Sequence, residues 1–184
     1  MAERPTIETE RLILRPFTMD DAPELQRLAG DRDIASTTSE GEIPKPNMAK
    51  QWIKIRQDRF DRGESVDFAI IHREWGVLIG AIGLGMEYKQ DESMQLGYWL
   101  GKQYWNNGYC TEASHAVLRY GFGVLGLHRI YARHFTRNPA SGRVLQKIGM
   151  KHEGTLREAF KKWGKFEDLE CYGILKSEYT YSND

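Results

Sequence analysis

The sequence predicts an α/β fold in which a mixed central β-sheet carries helices on both of its faces. Short runs rich in β-branched and aromatic residues, such as Asp67–Arg73, indicate strands. Other stretches, such as Pro139–Ile148, place apolar residues three and four positions apart and indicate helices. Strand and helix patterns alternate late in the chain, which predicts a partly parallel region within the sheet.

The first part of the chain predicts one strand and two helices. Arg11–Phe17 alternates between polar and apolar residues, as a half-buried strand does. Thr18 and Asp21 resemble a capping box, and the apolar spacing after them predicts a short helix. Residues 31–47 are rich in Asp, Ser, Thr, Gly and Pro and are expected to form a loop. Apolar spacing then predicts a helix over Asn47–Arg62.

The middle of the chain predicts three strands in succession. Asp67–Arg73 and Val77–Leu84 are strand-like runs, and Glu74-Trp75-Gly76 between them predicts a hairpin. Gln90–Ser93 is expected to form a turn before a third strand over Met94–Leu100. The glycine-rich run within Val77–Leu84 mimics a nucleotide-binding loop, but no helix pattern follows it. Close packing on the sheet is therefore the favoured interpretation.

The last third of the chain alternates helices with strands. A helix is predicted up to about Phe122, followed by a strand over His128–Phe135, a helix over Pro139–Ile148 and a strand over Leu169–Leu175. Residues 155–167, before the last strand, are expected to form a loop. We find no repeat, low-complexity segment or linker that would divide the chain. Residues 1–184 are therefore expected to form a single domain.

Composition and charge exclude several classes of protein. Lys plus Arg and Asp plus Glu number 26 each, so no general electrostatic attraction to nucleic acid or membrane is expected. No apolar run is long enough for a transmembrane helix, and the first residues lack the pattern of a signal peptide. The two cysteines, Cys110 and Cys171, form no disulfide pattern. We therefore expect a cytoplasmic protein.

The segment YWNNGYCTEAS, residues 104–114, carries the first functional signal. Its Asn-Gly pair is typical of a hairpin, yet the residues that follow have helical spacing. A helix start offers unpaired N–H groups and a partial positive charge, and Gly108 lets an anion approach the backbone. Cys110 and Thr111 are small, and Thr111 is a candidate N-cap. The residues alone leave two interpretations open, a phosphate-binding loop and an ordinary capped turn.

Four motifs in order resemble the GNAT superfamily of acetyl-CoA-dependent N-acetyltransferases. They are TERLILRPFTMDDA (Thr9–Ala22), WNNGYCTEA (Trp105–Ala113), NPASGRVLQKIGM (Asn138–Met150) and FEDLECYGIL (Phe166–Leu175). Among the branches of that superfamily, the sequence is most similar to the ribosomal-protein N-terminal acetyltransferases, described as RimJ/RimL-like. The resemblance covers nearly the whole chain.

The resemblance assigns cofactor contacts to two segments. The family's loop pattern Gln/Arg-x-x-Gly-x-Gly/Ala falls on Trp105–Cys110 and departs from it at both ends, at Trp105 and Cys110. The resemblance implies that N–H groups of this loop hold the coenzyme A diphosphate; the residues concerned are Asn107, Gly108, Tyr109, Cys110 and Thr111. It also implies a sheet that splays after Met94–Leu100. The pantetheine arm would then pair with backbone near Tyr98, Trp99 and Leu100.

The resemblance also implies catalytic roles near the helix over Pro139–Ile148. In relatives the residue matching Asn138 contacts the cofactor, and the residue matching Ser141 is a proposed general acid. The residue pattern itself is equally that of an N-cap followed by proline. Arg143 and Lys147, one helical turn apart, are rival phosphate contacts. Tyrosines remain alternative acids, namely Tyr98, Tyr104 and Tyr109.

The general base is harder to place. Glu112 is the carboxylate nearest to the loop, either as a base or as a partner of the helix dipole at position N1. Glu87, Glu92 and Asp168 are weaker candidates. An α-amino group, with a pKa of roughly 7.7–8.0, needs only a weak base, whereas a lysine amine at about 10.4 needs a stronger one.

These observations lead to a specific functional expectation. The resemblance implies transfer of acetyl from acetyl-CoA to an amine by direct attack, and the favoured acceptor is the N-terminal α-amine of a protein, in particular a ribosomal protein. A small-molecule amine such as a polyamine, an amino sugar or an aminoglycoside is the alternative, and a CoA-binding sensor without turnover is a second one. His128 and His134 lack a third ligand at metal spacing, so we expect no metal. Relatives are often homodimers.

Overall fold

The computed structural model describes residues 4–38, 47–86 and 91–180. Within these residues the strands are β1 (Ile7–Glu8), β2 (Leu12–Arg15), β3 (Ser65–His72), β4 (Leu78–Gly85), β5 (Ser93–Leu100), β6 (Arg129–Phe135), β7 (Lys151–Lys162) and β8 (Lys165–Leu175). The helices are α1 (Ala22–Ala29), α2 (Arg32–Thr37), α3 (Met48–Asp61), α4 (Tyr109–Gly123) and α5 (Pro139–Lys147).

These eight strands belong to one mixed sheet, in the order β1-β2-β3-β4-β5-β6-β8-β7. Neighbouring strands are antiparallel except for β5 and β6, which α4 connects as a parallel pair. The expected α/β class and the parallel region late in the chain are confirmed. The parallel pair lies near the centre of the sheet, where a connecting helix leaves the carboxyl ends of the strands accessible.

Two apolar clusters show that helices cover both faces of the sheet. One face packs α4 and α5 through residues such as Val117 and Leu145, and the other packs α1 and α3 through residues such as Leu25 and Ile53. Alternation along β5 divides its side chains between the two clusters, so that Leu100 lies in the first and Trp99 borders the second. The site described below lies on the α4 and α5 face.

Local sequence rules account for most of the predicted elements. The hairpin between β3 and β4 turns at Gly76, which has a φ of 65°, and Gly76 N–H donates to the carbonyl of His72. At the start of α1, the Asp21 carboxylate accepts a hydrogen bond from the backbone of Thr18 at 2.7 Å, as the capping box predicts. The glycine-rich run lies inside β4, and a Cβ on Gly80 would lie 2.2 Å from the carbonyl oxygen of Trp99. Its glycines therefore serve close strand packing.

Two expectations about loops are wrong. Part of the expected loop 31–47 forms helix α2, whose N-cap Asp31 accepts a hydrogen bond from the backbone of Asp33 at 2.8 Å. The expected loop 155–167 is instead the distal part of the long hairpin of β7 and β8. Its strands show little apolar alternation because β7 is an edge strand exposed on most of its length. The expected turn Gln90–Ser93 lies partly outside the described residues.

Candidate active site

The central opening of the sheet lies between β5 and β6. The parallel register joins Ser93–Gln95 to Arg129–Tyr131, and Leu96–Leu100 continue beyond the last paired position. The two strands therefore diverge toward their carboxyl ends and leave a wedge-shaped opening, which we call the β5–β6 gap. The splay implied by the sequence resemblance is confirmed.

Backbone direction along β5 decides which groups face this gap. Gly101 N–H donates to the carbonyl of Ile79, at the β4 side, at 2.9 Å. Successive residues of a strand direct their backbone groups to opposite sides, so Trp99 also pairs with β4. Tyr98 and Leu100 therefore direct their backbone N–H and C=O groups into the gap. Trp99 was expected among the ligand-facing residues, but its backbone N–H and C=O point away from the gap.

The indole of Trp105 further selects among the groups at the gap. Its N–H donates to the carbonyl oxygen of Leu100 at 2.8 Å. This bond uses one acceptor at the mouth of the gap and leaves the Leu100 N–H as a donor beside it. Backbone N–H donors aimed at a carbonyl oxygen can stabilise the negative charge that develops there during acyl transfer. Trp105, at the first position of the loop motif, thus has a defined contact.

The loop before α4, residues 105–108, combines left-handed residues with the start of a helix. Asn106 and Gly108 are left-handed, with φ of 63° and 80°, and Gly108 is the N-cap of the 15-residue helix α4. Thr111, which the sequence suggested as the N-cap, lies inside the helix instead. A left-handed residue followed by a helical one points successive N–H groups to the same side, and the helix dipole adds positive charge. This geometry suits an anion.

Hydrogen bonds fix the shape of this pre-α4 loop. The side-chain amide of Asn107 donates to the carbonyl oxygens of Tyr104 and Trp105 at 3.2 and 2.9 Å. From outside the loop, Nη1 of Arg11 donates to the carbonyl of Asn107 at 3.0 Å. The carbonyls of Trp105 and Asn107 are therefore engaged within the protein, which favours N–H groups as the loop's contacts with an approaching ligand.

Cys110, at the second position of α4, is a free cysteine with a neutral thiol. Burial raises the pKa of its thiol to about 12, because an apolar environment disfavours the thiolate. A thiol is a good nucleophile only as the thiolate. The small side chain therefore fits the role expected from its place in the loop motif, which is to allow close backbone approach.

Glu112 is held in an ion pair rather than directed into the gap. Its carboxylate accepts hydrogen bonds from the hydroxyl of Thr9 at 2.7 Å and from the backbone N–H and Nε of Arg11 at 2.8 and 2.7 Å. Partial burial acts to raise the pKa of Glu112, but these hydrogen bonds outweigh burial and hold it below its ordinary value. Helix α4 begins at Tyr109, so Glu112 is the fourth helical residue and not the first. A carboxylate so engaged is poorly suited to accept a proton.

The weaker candidates for a base have no common location. Oδ1 of Asp168 accepts a hydrogen bond from the backbone N–H of Glu158 at 2.7 Å. Glu92 lies in the turn before β5 with a φ of 45°. Glu87 lies outside the described residues.

Tyr98 and Ser141 meet across the top of the gap. Tyr98 projects from β5 toward α5, and its hydroxyl lies 2.9 Å from Oγ of Ser141 and 3.1 Å from the Ser141 carbonyl oxygen. Burial raises the pKa of Tyr98 well above its ordinary value, so its phenol stays protonated and can act as a hydrogen-bond donor. The structure thus brings together two of the alternative acids, Ser141 and Tyr98.

The remaining candidates lie on and around α5. Asn138 is the N-cap with Pro139 following it, as predicted, and its side chain makes no capping hydrogen bond. Arg143 is exposed on α5, two residues beyond Ser141. The next residue after Ser141, Gly142, packs on His134: a Cβ at Gly142 would lie 2.8 Å from Nε2 of that buried histidine. This close contact fixes the height of α5 above β6.

A rim of basic residues surrounds the end of the gap near α5. Arg137 donates to the carbonyl of Ser36 at 2.6 Å and pairs with Glu167 at 3.2 Å, which ties α2 to the hairpin of β7 and β8. Nζ of Lys162, at the hairpin tip, donates to the carbonyl of Thr38 at 2.5 Å. At the same hairpin tip, the Arg32 guanidinium lies over the Trp163 ring, and Lys161 and Lys165 are exposed.

Several residues of the site gave no signal in the sequence. Arg11 has the pattern of the polar start of a strand, and its partner lies 101 positions away. His72 is buried, and its Nε2 lies 3.1 Å from the hydroxyl of Tyr109, the first residue of α4. Trp75 stacks on the His72 ring at a centroid distance of 3.6 Å. These contacts link the β3–β4 turn to the start of α4, and only the three-dimensional fold reveals them.

In the described parts of the chain, no group of three or more His, Cys, Asp and Glu side chains is arranged to hold a metal ion. The helices among those residues also include none that is long and apolar enough to cross a membrane.

Comparison with known proteins identifies a family. The family described as "Acetyltransferase (GNAT) domain" matches residues 11–151. The uncharacterized N-acetyltransferase YnaD of Bacillus subtilis is 32% identical over 174 residues, which cover 95% of this chain and 99% of the relative. Among solved structures, an acetyltransferase (GNAT family) from Bacillus anthracis has a TM-score of 0.84 and 28% identity, covering 95% of this chain and 100% of that one.

Two further relatives have named acceptors. The [ribosomal protein uS5]-alanine N-acetyltransferase of Escherichia coli is 32% identical over 85 residues, which cover 46% of this chain and 44% of the relative. The spermidine N(1)-acetyltransferase of Vibrio cholerae is 26% identical over 143 residues, which cover 72% of this chain and 83% of the relative. The relatives thus act on both protein and small-molecule amines.

Proposed function

The chain belongs to the GNAT acetyltransferase family and is an N-acetyltransferase, and from this premise we propose that it transfers acetyl from acetyl-CoA to the N-terminal α-amine of a protein, of which a ribosomal protein is the best candidate. One observation carries the proposal. The β5–β6 gap ends at a loop of N–H groups on the α4 N-terminus and holds the Tyr98–Ser141 pair within it.

The residues present fit acetyl-CoA. The pre-α4 loop offers N–H donors for the diphosphate, with Asn107, Gly108, Tyr109, Cys110 and Thr111 as the proposed contacts. A Cβ at Gly108 would stand on this surface, so the glycine keeps the backbone accessible. The N–H groups of Tyr98 and Leu100 face the gap, where they suit a ligand with amide and carbonyl groups. Asn138 and Arg143 on α5 are proposed further contacts.

Acetyl-CoA supplies an acetyl group activated as a thioester. The Leu100 N–H lies where it can polarise a carbonyl, and the Ser141 hydroxyl can donate a proton to the leaving sulfur. In this arrangement the Tyr98 hydroxyl donates a hydrogen bond to Oγ of Ser141, so that the serine proton is available for transfer. The amine attacks directly, and the proton that it releases passes through water to replace the one that Ser141 gives to the sulfur. The neutral thiol of Cys110 is a poor acyl carrier. Glu112 is proposed to hold the loop rather than to act as a base.

Two considerations favour an α-amine over a polyamine. Glu112 is engaged by Arg11 and is therefore not available as a base, and an α-amine with a pKa of roughly 7.7–8.0 needs the least help from a base. The exposed basic residues at the tip of the β7–β8 hairpin, Lys161 and Lys165, would repel a polycation such as spermidine. The same residues would attract a protein segment that carries acidic residues.

The test is a thiol-release assay with purified protein and acetyl-CoA. The acceptors are peptides with the N-terminal sequences of ribosomal proteins, the same peptides with a blocked α-amine, free lysine and spermidine. We expect turnover with the open peptides and none with the blocked ones, and mass spectrometry should place the acetyl group on the α-amine. A higher kcat/KM for spermidine than for every peptide would favour the small-molecule alternative. Binding of CoA without turnover on any amine would favour a sensor.

Three broader properties are proposed with this function. We propose one acetyltransferase domain over residues 1–184, since a single sheet collects every strand of the described residues. Both cysteines are free, which supports a cytoplasmic location. A homodimer is expected from the sequence resemblance, and light scattering after size-exclusion chromatography measures it directly.

A further inference from the structure

The side chain of Arg11, which stands immediately before β2, is fixed against the start of α4 by three contacts. Its Nε donates to the Glu112 carboxylate at 2.7 Å, and its Nη1 donates to the Asn107 carbonyl at 3.0 Å. Its guanidinium carbon lies 4.7 Å from the centre of the Tyr109 ring. The N-terminal hairpin is thereby connected to both the pre-α4 loop and the first turn of the helix.

The third nitrogen of the guanidinium borders the surface of the loop. A Cβ built on Gly108 would lie 3.5 Å from Nη2 of Arg11. The Arg11 side chain is 41% exposed, so its positive charge reaches solvent at this point. The Nη2 end of the Arg11 guanidinium therefore lies beside the backbone at the N-terminus of α4, while its Nε end pairs with Glu112.

The position of Glu112 gives the positive charge of Arg11 a function at the start of α4. Its carboxylate lies in the first turn of α4 and is only 16% exposed, so water screens it weakly. An anion at the helix N-terminus would be repelled by this carboxylate, and the repulsion would offset part of the dipole's attraction. The ion pair with Arg11 neutralises the carboxylate and leaves the attraction in place.

We propose that Arg11 is a positioning residue for coenzyme A: it holds the pre-α4 loop in its anion-binding shape and cancels the charge of Glu112. This inference rests on the proposed binding of acetyl-CoA. It adds a residue from the N-terminal hairpin to a site otherwise built by the central strands and α4. It also implies that the Glu112 carboxylate would weaken anion binding if Arg11 did not neutralise it.

The test is a double-mutant cycle on the affinity for CoA, measured by titration calorimetry with wild type, Arg11→Gln, Glu112→Gln and the double variant. We expect Arg11→Gln to raise the Kd for CoA about tenfold, since it removes one charge and exposes another. Glu112→Gln should leave the Kd unchanged or lower it. The double variant should recover most of the affinity lost in Arg11→Gln, because the uncompensated carboxylate is gone.

A matched control separates this role from general structure. Arg73 donates to the carbonyl of Thr9 at 3.1 Å and pairs with Glu8 at 3.3 Å, so it also stabilises the N-terminal hairpin, but it makes no contact with the pre-α4 loop among the contacts of the described residues. Arg73→Gln should leave the Kd for CoA at the wild-type value. Arg11→Lys keeps the charge without the forked contacts and should fall between wild type and Arg11→Gln.

The outcomes separate this inference from the proposed function. Tight CoA binding by wild type with an unchanged Kd in Arg11→Gln would overturn the inference alone. So would a double variant as weak as Arg11→Gln, which would reduce Arg11 to a structural contact. A wild-type protein that does not bind CoA would overturn the proposed function and this inference together. A higher salt concentration should reduce the difference in the Kd for CoA between wild type and Arg11→Gln, because salt screens interactions between charges.

Discussion

The hydroxyl of Tyr98 has one proton and two acceptors within reach, and its choice controls Ser141. If Tyr98 donates to the carbonyl oxygen of Ser141, at 3.1 Å, the serine proton is directed back to the tyrosine. If Tyr98 donates to Oγ, at 2.9 Å, the serine proton is available to a third group. Only the second arrangement supports Ser141 as a general acid.

Ser141→Ala should lower kcat by about a hundredfold while leaving the Kd for CoA unchanged, since the change removes a proton donor and no charge. Tyr98→Phe should lower kcat less, because the serine proton remains. Steady-state kinetics across pH, together with calorimetry for CoA, measures both quantities. A wild-type kcat for Ser141→Ala at every pH would remove Ser141 as the acid.

At the residue scale, the sequence indicated which residues are candidates for the site better than it indicated which side chains contact each other. The resemblance named Ser141, Asn138 and Gly108, whose positions the structure places around one gap. It could not foresee the contacts of Arg11, because a hydrogen bond between positions 101 apart leaves no local pattern. It also misplaced Glu112 along the helix, because a shift of the helix start by three residues changes which side of the helix a carboxylate occupies.

At the scale of the element, the proposed binding of CoA depends on the junction between the pre-α4 loop and helix α4. Gly108 has a φ of 80°, a conformation in which a residue with a side chain is strained by about 1 kcal/mol. It also stands where the loop must expose its backbone. Strain and blocked access are therefore two separate consequences of one substitution.

Gly126 allows these consequences to be separated. It has a φ of 69°, a Cβ added there would meet nothing within 4 Å, and it lies after α4, in the turn that precedes β6. Gly108→Ala and Gly126→Ala should each lower the free energy of unfolding by about 1 kcal/mol. Only Gly108→Ala should also weaken CoA binding, which thermal melts with and without CoA would detect. Equal ligand-induced shifts in the two variants would argue against the loop as the diphosphate site.

Elements were predictable where their apolar side chains enter the core. β3, β4, β5 and β6 carry apolar side chains into the core, and their bounds differ by only a few residues from those expected. Strand β7 was not predicted, because its residues are mostly exposed and show no alternation of apolar residues. Helix α2, of six residues, is too short for a helical period to be recognised.

At the scale of the whole molecule, ion pairs near the N-terminus make stability depend on pH. Both carboxylate oxygens of Asp21 accept hydrogen bonds from Arg15 at 2.7 Å. Burial acts to raise the pKa of Asp21, but hydrogen bonds from Arg15 and Thr18 outweigh it and hold the pKa below its ordinary value. A lowered pKa in the folded state stabilises the protein above the unfolded value, and this stabilisation is lost as pH falls.

Asp21→Asn should therefore destabilise the protein by about 2 kcal/mol at neutral pH. The difference from wild type should stay constant down to the unfolded-state pKa of about 3.9 and shrink below it. Urea unfolding of both proteins at a series of pH values measures this difference. A difference that grows as the pH falls would contradict the assignment.

The same scale explains what the sequence could establish about function. Near-zero net charge gave no general electrostatic reason to expect nucleic acid or membrane as a partner, and ordered motifs identified the family that comparison confirms. The proposed choice of acceptor involves a rim where α2, the segment before α5 and the tip of the β7–β8 hairpin meet. These parts lie far apart in the chain, so neither their shape nor their combined charge can be inferred from any one segment.

The β5–β6 gap has a consequence for hydrogen exchange. Amide hydrogens in the middle of a sheet usually exchange with solvent only when the protein unfolds, because each is bonded to a neighbouring strand. The N–H groups of Tyr98 and Leu100 belong to a central strand but face the gap. They should exchange as quickly as those of a surface loop in the free protein and become protected when a ligand completes the ladder between β5 and β6.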